Sequence, residues 1–396
     1  MMRRFLPFAF AWTTMLLAVP LSGQVSSVRP GDPLIGLTPS ELEEFRIGQA
    51  SFTEVETVDE GLGPAFNGTS CAACHNVPAI GGISPMTEVR AGHREADGTF
   101  RALDAAGGTL VHLFSLPNHV CQPVLPDDVN VIARRMPTPL FGAGLVEAIA
   151  DESIRALEDP TDRNRDGVRG RASIVTDPVM GERRVGRFGW KAQFATLLGF
   201  SAGAYRDEMG ITNEVFPGEL AHGISDDQMK RCDVAPDPED RRDRTTGRRD
   251  IDNFAAFMRL LAPIARATVD DAVREGERVF TAVGCTACHV PALTTGPNVN
   301  PLFNRKVVPL YSDLLLHDVG TGDGIQQADS TASGDEIRTP ALWGLRLRRP
   351  FLHDGSAATI EDAIGRHGRE ADLARLGFVG LDDQSRALLL RFLKSL

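Results

Sequence analysis

The chain has 396 residues, 42% of them hydrophobic and 24% charged, which is typical of a soluble globular protein with room for two domains. The net charge of -11 argues against nucleic-acid binding and against anionic membrane surfaces, and it is compatible with a basic protein partner. Arg3 and Arg4 precede an apolar run over residues 5–21, which predicts a signal peptide over residues 1–24 and a periplasmic or otherwise exported protein. An uncleaved anchor is the alternative, and nothing later in the chain predicts a membrane span.

The first predicted element after the signal is a helix over residues 39–52. Thr38 can cap this helix, Pro39 suits its first turn, and Glu41 completes a capping box. The helix leads through a glycine-rich approach to a Cys-x-x-Cys-His pattern over residues 71–75.

This five-residue pattern occurs again over residues 285–289. Cys-x-x-Cys-His is the covalent attachment signature of a c-type haem, in which two thiols add to the porphyrin vinyl groups and the histidine binds the iron. A four-cysteine zinc site is the alternative, but it does not explain the histidine in both copies. The predicted attachment residues are Cys71, Cys74, Cys285 and Cys288, with His75 and His289 as iron ligands.

Glycine and proline are frequent between residues 77 and 126, so this segment predicts loops and a few short strands. Further along, Asp162, Asn164 and Asp166 alternate before a glycine, as in the front half of a calcium loop. The closing glutamate of an EF-hand is absent, because Ser173 occupies its position. Calcium binding and a plain polar turn are both compatible with this pattern.

The second half of the chain repeats the arrangement of the first. Residues 188–209 predict a mostly helical segment after a glycine, residues 236–249 a charged linker, and residues 251–261 a helix that closes the first domain or begins the second. Thr268 to Asp271 predict the cap of a helix that leads to the second attachment motif. We therefore expect a mainly α protein with two cytochrome-c-like haem domains, residues 25–250 and 251–396, with long loops and a few short strands in the first.

A helix predicted to begin at Thr359 places Ala363, Ile364 and His367 on one face. A histidine on an apolar face is often a core residue, but an iron needs a sixth ligand, which favours His367 as that ligand. His317 is its main rival. Two cysteines remain outside the motifs, Cys121 and Cys232, and an oxidising compartment favours a disulfide between them over two buried thiols.

With these residues identified, the chain resembles the bacterial di-haem cytochrome c peroxidase superfamily, and more closely its di-haem oxidoreductase (thiol oxidoreductase) branch. The matching blocks cover nearly the whole mature chain: Gly63 to Asn67, Cys285 to Gly296, Tyr311 to Gly320, Arg338 to Gly344 and Leu352 to Ala371.

The resemblance implies roles for two catalytic candidates. Trp190, in Phe-Gly-Trp-Lys-Ala, resembles the tryptophan between the haems, and Glu208, in Glu-Met-Gly, resembles the acid/base glutamate over the peroxide-binding haem. The Asp-Gly-Arg that follows the family's tryptophan is absent, and Asp207 is an equal neighbour of Glu208. Core packing for Trp190 and a solvated carboxylate for Glu208 are the alternatives.

The resemblance also bears on the remaining iron ligands. Where the peroxidases carry a methionine ligand for the second haem, this sequence has His367, and a bis-histidine haem has a lower potential than a histidine/methionine one. His93, in a Gly-His dipeptide, is the nearest equivalent of the family's ligand to the first haem, with His112, His119 or an open site as rivals. His317 and His353 are interpreted as contacts to haem propionates or to ligands.

Together these features predict an exported di-haem cytochrome that acts as a peroxidase-like oxidoreductase. Peroxide or a similar small oxidant is reduced at the first haem, and a soluble donor, a small cytochrome or copper protein, supplies electrons through the second. A non-catalytic electron-transfer cytochrome and an oxygenase acting on an organic substrate are the alternatives. Thiol oxidoreduction has no support, because no redox cysteine pair remains once the haems are attached.

Overall fold

The computed structural model describes residues 28–104, 108–117, 121–233 and 241–396. Within these ranges the protein is mainly α-helical, with long loops and short strands, which confirms the predicted class at that level. The predicted signal peptide and His119 lie outside the described residues. Among the helices that are described, none is both long enough and apolar enough to cross a bilayer.

Eleven helices are present in the described ranges. They are α1 (Pro39–Thr53), α2 (Cys71–Cys74), α3 (Ala143–Glu147), α4 (Asp151–Arg155), α5 (Leu197–Met209), α6 (Asp226–Cys232), α7 (Asp250–Leu260), α8 (Asp271–Ala282), α9 (Ile360–Gly365), α10 (Asp372–Val379) and α11 (Asp383–Leu393).

The strands are mostly two or three residues long. They are β1 (Ala65–Phe66), β2 (Glu88–Arg94), β3 (Phe100–Arg101), β4 (Leu110–Val111), β5 (Phe114–Ser115), β6 (Val131–Arg135), β7 (Ile174–Thr176), β8 (Arg183–Val185), β9 (Leu293–Thr294), β10 (Val307–Val308), β11 (Leu316–His317) and β12 (Ile337–Arg338). The largest sheet is antiparallel around β2, which pairs with β3, β4 and β6, and β1–β5, β7–β8, β9–β10 and β11–β12 form separate antiparallel pairs.

Helix α1 precedes the first attachment motif and crosses α7. A side-chain Cβ at Gly48 would lie 2.4 Å from the carbonyl oxygen of Asn253, so only glycine lets the two backbones approach this closely. One turn beyond this crossing, the rings of Phe52 and Phe257 lie 4.8 Å apart. The predicted cap is confirmed, because Thr38 and Glu41 form a capping box at the start of α1.

Helix α8 precedes the second motif and crosses α11 in the same way. A Cβ at Gly276 would lie 2.0 Å from the carbonyl oxygen of Leu388, and the rings of Phe280 and Phe392 lie 5.1 Å apart. Each phenylalanine follows its glycine by four residues, as in the first crossing. The internal repeat therefore includes a second helix in each copy, α7 and α11, as well as the helix before the motif.

Several predicted boundaries differ from the structure. The helix expected after Gly189 begins only at Leu197, because Ala192 has a positive φ of 50° and the segment before it forms turns. Asp270, not Thr268, caps α8, and its carboxylate accepts a hydrogen bond from the amide of Val273.

The buried apolar residues form two main clusters. The larger contains residues from α1, α5 and α7 together with residues 293–315, and the smaller contains residues from α8, α9, α10 and α11. Helix α7 thus packs in the first core, although the predicted boundary places it in the second domain. The division into two haem domains at residue 250 stays a prediction.

Cys121 and Cys232 form a disulfide, with their Cα atoms 5.5 Å apart, which confirms the predicted pairing. The bond connects α6 to the loop that follows β5, and it encloses residues of β6 and α5 within the loop that it closes. The four cysteines of the attachment motifs are free thiols.

Candidate haem sites

The first attachment motif lines a cavity of about 170 Å³, called here the first cavity. Cys71 and Cys74 are the ends of the single turn α2, and His75 follows directly. The imidazole Nδ1 of His75 lies 2.9 Å from the carbonyl oxygen of Gly82, and burial lowers the pKa of His75 to about 4. The ring is therefore neutral at pH 7, and if Nδ1 carries the proton, Nε2 is left with a free lone pair.

The second motif lines a larger cavity of about 370 Å³, the second cavity. Its residues Cys285, Cys288 and His289 follow α8 after one glycine. The Nδ1 atom of His289 lies 3.0 Å from the carbonyl oxygen of Tyr311, and burial lowers the pKa of His289 to about 4. Both histidines thus have the same arrangement, with one nitrogen fixed by a backbone carbonyl and the other available to a metal.

The residues of both cavities fit a covalently attached haem. In each cavity two unpaired thiols and one neutral imidazole line the same space, and this donor set suits thioether formation and iron ligation. Phenylalanine rings lie 6.1 Å from the ring of His75 and 6.3 Å from that of His289, which keeps the imidazole side of each cavity apolar.

In the first cavity, two carboxyl groups face the space beside the thiols. Glu208, at the end of α5, accepts a hydrogen bond of 3.0 Å from the side-chain amide of Asn67. Glu88, at the start of β2, accepts two hydrogen bonds from Arg90, of 2.8 and 3.1 Å. Both carboxyl groups line the first cavity, and each affects the pKa of the other. Burial, followed by the charge of Glu88, raises the pKa of Glu208 to about 8, so Glu208 holds a proton at pH 7.

Trp190 lines both cavities and is almost completely buried. Its indole nitrogen donates a hydrogen bond of 2.7 Å to the carbonyl oxygen of Met136. On the side of the second cavity, the ring of His353 lies 6.1 Å away and the guanidinium of Arg348 lies 5.7 Å over the indole. Trp190 is thus a fixed aromatic residue that lines both cavities, and its role between two haems stays a prediction.

His367 lines the second cavity together with His289. His367 follows α9, and its Nδ1 lies 2.7 Å from the carbonyl oxygen of Ala363. Burial lowers the pKa of His367, and the charge of His367 contributes to lowering the pKa of His289. His289 and His367 are the residues that would supply two imidazole ligands to one iron, and this ligation stays a prediction.

Arg338 and Arg348 also line the second cavity, and burial lowers the pKa of each to about 10. Arg338 donates to the carbonyl oxygens of Gly189 and Thr339, but neither arginine has a carboxylate in salt-bridge contact within the described residues. Two buried cations without anions favour an anionic group in the cavity. Haem propionates have this charge, which is a second point of fit.

The family model for "Di-haem oxidoreductase, putative peroxidase" matches residues 115–396 of this sequence. The match covers more than half of the chain and includes Trp190, Glu208 and the whole second cavity motif. The chain belongs to this family. The first attachment motif lies before the matched range, but it has the same parts and the same local geometry as the second.

Known structures with similarity to this di-haem oxidoreductase include hydrazine synthase from Kuenenia stuttgartiensis, at 15% identity and a TM-score of 0.42, over 98% of this chain and 100% of that chain. A MauG-like protein associated with microbial copper homeostasis has 18% identity and a TM-score of 0.33, over 72% and 95%. A variant of the diheme peroxidase BthA from Burkholderia thailandensis has 14% identity and a TM-score of 0.32, over 79% and 95%. At these scores the structures carry no argument about function. No curated protein matches this sequence.

His317, the rival of His367, has both ring nitrogens occupied. Its Nε2 lies 2.8 Å from Asp313 and its Nδ1 lies 2.9 Å from Glu370. Burial opposes the charge of this ring, but the two carboxylates outweigh burial and raise its pKa well above the ordinary value. An imidazolium with two carboxylate partners has no lone pair for iron, so His317 is better suited to supporting Cys288, which it contacts at 3.7 Å. The cluster of Cys288, Asp313 and His317 has metal-like spacing, but its cysteine belongs to the haem motif.

Two other groups of predicted site residues are placed differently: His93 does not line the first cavity, and of the three calcium-loop residues Asp166 lines the second. The Nδ1 of His93 hydrogen-bonds the carbonyl oxygen of Asp128, its Nε2 lies 3.3 Å from Glu95, and it is not among the residues that line the first cavity. Asp162, Asn164 and Asp166 do form one turn, but their side-chain oxygens accept hydrogen bonds from backbone amides and from each other. Ligation by His93 and calcium binding stay predictions that this geometry does not favour.

The sequence analysis missed Glu88, Arg90, Arg338 and Arg348. A signal for the first pair was present, because Glu88 and Arg90 are two residues apart on a strand and therefore on one face. The sequence does not show that this face of β2 lies at the first attachment motif, because β2 and α5 are far apart in the chain.

Proposed function

We propose that this di-haem oxidoreductase is an exported, peroxidase-like enzyme with two covalently bound haems c. Peroxide or a similar small oxidant is reduced in the first cavity, and electrons arrive through the second. The observation that supports this assignment of roles is that the two cavities have different lining residues. The second is lined by three histidines besides His289, among them His367, whereas the described residues that line the first have a protonated carboxyl group and no histidine besides His75.

When bound, the haems supply irons that exchange single electrons, and the protein residues handle protons and positions. Glu208 presents a proton to the oxidant, which favours departure of one oxygen as water. The amide of Asn67 holds the Glu208 carboxyl by a hydrogen bond of 3.0 Å and so fixes the direction of that proton. His75 and His289 are held by backbone carbonyls and serve as proximal ligands.

In this proposal Trp190 is the contact through which electrons pass between the cavities. Its hydrogen bond to Met136 and its near-complete burial fix the indole and exclude water from this position. His367 and His289 would supply two imidazole ligands to the second haem, which would give it a low potential and suit a site that transfers electrons and binds no substrate. A soluble electron donor of the small cytochrome or copper-protein class would reach this haem, in keeping with export.

The experiment compares wild type with Glu208→Gln in peroxide turnover, with resting and half-reduced spectra. We expect the variant to lose about 100-fold to 10,000-fold in turnover, the usual contribution of a positioned acid or base, with haem content unchanged. The neighbouring Asp207→Asn is the matched control, because the carboxylate of Asp207 pairs with Arg206 at 2.7 Å. Two permanently low-spin haems without peroxide turnover in wild type would contradict the proposal and leave electron transfer as the function.

A further inference from the structure

Glu88 and Glu208 approach the first cavity from two elements that are distant in sequence, β2 and α5. Both line the cavity, and each affects the pKa of the other. Two buried carboxylates at one cavity repel each other, which favours one carboxylic acid and one carboxylate in this pair. Which member holds the proton decides what the cavity can do.

The surrounding charges separate the two carboxyl groups. Arg90 binds Glu88 through two hydrogen bonds, and Arg135 lies 3.7 Å from the same carboxyl group. Glu208 has only the neutral amide of Asn67 as a further partner. The nearby Asp207 is directed to Arg206. The cations therefore favour a negative charge on Glu88, and Glu208 keeps the proton.

The pKa directions agree with this geometry. Burial opposes ionisation of Glu88, but Arg90 and Arg135 outweigh burial and lower its pKa. For Glu208, burial and the charge of Glu88 both act in the same direction and raise its pKa to about 8. The pair is thus split around neutral pH, as in enzymes where two carboxyl groups take different roles.

We propose that Glu88 is a positioning residue that keeps Glu208 protonated, so that Glu208 meets a substrate as an acid. For its catalytic consequence this inference rests on the proposed function. Reduction of hydrogen peroxide to two waters takes two electrons from the donor protein and two protons. The O–O bond and the O–H bond of Glu208 break, a new O–H bond forms on the departing oxygen, which leaves as water, and solvent supplies the second proton to the other oxygen. Glu88 stays ionised throughout, and solvent returns the proton to Glu208.

A smaller polar cavity provides a path for this proton. It has a volume of about 130 Å³ and shares Arg90 and Asp207 with the first cavity. It is also lined by His222, whose Nε2 is buried and has no hydrogen-bond partner. Water in this cavity would satisfy His222 and connect solvent to the Glu88–Glu208 pair without passing through the haem cavity itself.

The test is an infrared titration of the protonated carboxyl in the holoenzyme, with Glu208→Gln used to assign the band. We expect the wild-type band to disappear near pH 8. In Glu88→Gln the like charge is lost and Arg90 is freed to stabilise the Glu208 carboxylate, so the band should disappear roughly one to three pH units lower. The alkaline limit of peroxide turnover should move with the band.

Glu95→Gln is the matched control, because Glu95 follows β2 but is exposed and pairs with Arg101. It should leave the titration unchanged. An unchanged band position in Glu88→Gln, or a wild-type Glu208 that is already ionised at pH 7, would overturn the proposal. The infrared result decides the role of Glu88 even in a protein without peroxide turnover, so it is separable from the test of function.

Arg90→Gln provides a second variant in case Glu88→Gln does not fold. It keeps both carboxyl groups but removes the cation that holds Glu88 ionised, so Glu88 should bind its own proton at a higher pH than in wild type. As the pH is lowered, a second protonated-carboxyl band, that of Glu88, should therefore appear at a higher pH in this variant than in wild type. No change in the acid titration of this variant would equally overturn the proposal.

Discussion

The two cavities share the residues of their attachment motifs and of the helices before them, but the residues from other segments that line them differ. Each has a glycine-crossed helix pair, a phenylalanine one turn further, two thiols, and a histidine held by a backbone carbonyl. What faces these parts differs, with His367 in the second cavity and the Glu88–Glu208 pair in the first. The attachment motif therefore defines where a haem is held, and the residues from distant segments define what that haem can do.

The charged residues that line the two cavities also differ. The first contains carboxyl groups that Arg90 and Arg135 partly neutralise, so it can hold and release a proton. The second contains Arg338 and Arg348 without a carboxylate in contact within the described residues, and burial lowers the pKa of His289 and of His367. The imidazolium of His317 also lines this cavity, but Asp313 and Glu370 hold both of its nitrogens, so these residues suit electron transfer better than proton delivery.

The substitution His367→Ala tests the difference between the two cavities most directly. We expect this change to convert one of the two haems fully to a high-spin spectrum, because the second iron would lose the imidazole of His367, and His317, which also lines this cavity, has both ring nitrogens occupied. His93→Ala is the control and should leave both spectra unchanged, because His93 does not line the first cavity. A wild-type spectrum in His367→Ala would exclude His367 as ligand, and a spin change in His93→Ala would restore the predicted role of His93.

A cluster of buried charges adjoins Trp190 in the chain and the first cavity in space. Asp323 lies 2.6 Å from Arg135 and 3.1 Å from Lys191, and all three side chains are at most 2% exposed. Asp323→Asn would leave Lys191 without a carboxylate partner among the described residues and Arg135 with Glu88 at 3.7 Å, which we expect to cost about 3–5 kcal/mol in the free energy of unfolding. Asp335→Asn removes a 65%-exposed partner of Arg369 and should cost about 0–1 kcal/mol. Denaturant unfolding of both variants measures the difference, and equal losses would contradict it.

The same aspartate predicts an acid limit of stability. Burial alone would raise the pKa of Asp323, but Arg135 and Lys191 outweigh burial and lower it from 3.8 to about 2. A carboxyl whose pKa is lower in the folded state stabilises the fold above pH 3.8 and loses this contribution as the pH falls towards 2. Asp323→Asn should therefore show a weaker loss of stability than wild type over this interval.

The disulfide makes the first region dependent on redox conditions, and the second region has no counterpart among the described residues. It joins cysteines separated by 111 positions, so its removal in Cys121→Ser/Cys232→Ser should cost about 2–5 kcal/mol. We expect the spectrum of the second haem to persist at denaturant concentrations where that of the first is already lost. Simultaneous loss of both haem spectra would show that the two regions unfold as one unit.

The local features were predictable from the sequence because they depend on neighbouring residues. The cap of α1 needs only Thr38 and Glu41, and the attachment motifs need only their own five residues. Trp190 and Glu208 were found through family resemblance, and the structure places both at the first cavity. In each case the decisive information lies within a short stretch of chain.

The features that escaped prediction depend on contacts between distant segments. Glu88 meets Glu208 across 120 positions because β2 and α5 converge on one cavity, as their lining residues show. Similarly, the sequence does not decide between His317 and His367 as the iron ligand. The structure does, because Asp313 and Glu370 occupy both ring nitrogens of His317. Periodicity and spacing describe one element at a time, so they carry no information about such convergence.

The two helix crossings offer the smallest expected effect and the closest test of equivalence. Gly48→Ala and Gly276→Ala each place a Cβ against a backbone carbonyl, at 2.4 and 2.0 Å, so the helices must separate. We expect each change to cost about 1–3 kcal/mol in unfolding free energy, with the larger loss for Gly276 because its contact is shorter. Gly365→Ala in α9 is the control, since no atom lies within 4 Å of its added Cβ, and it should be neutral or stabilising by up to about 1 kcal/mol. A loss of unfolding free energy at only one crossing would mean that the close approach of the helices does not stabilise both halves equally. The similarity of the two cavities would then be limited to their attachment motifs.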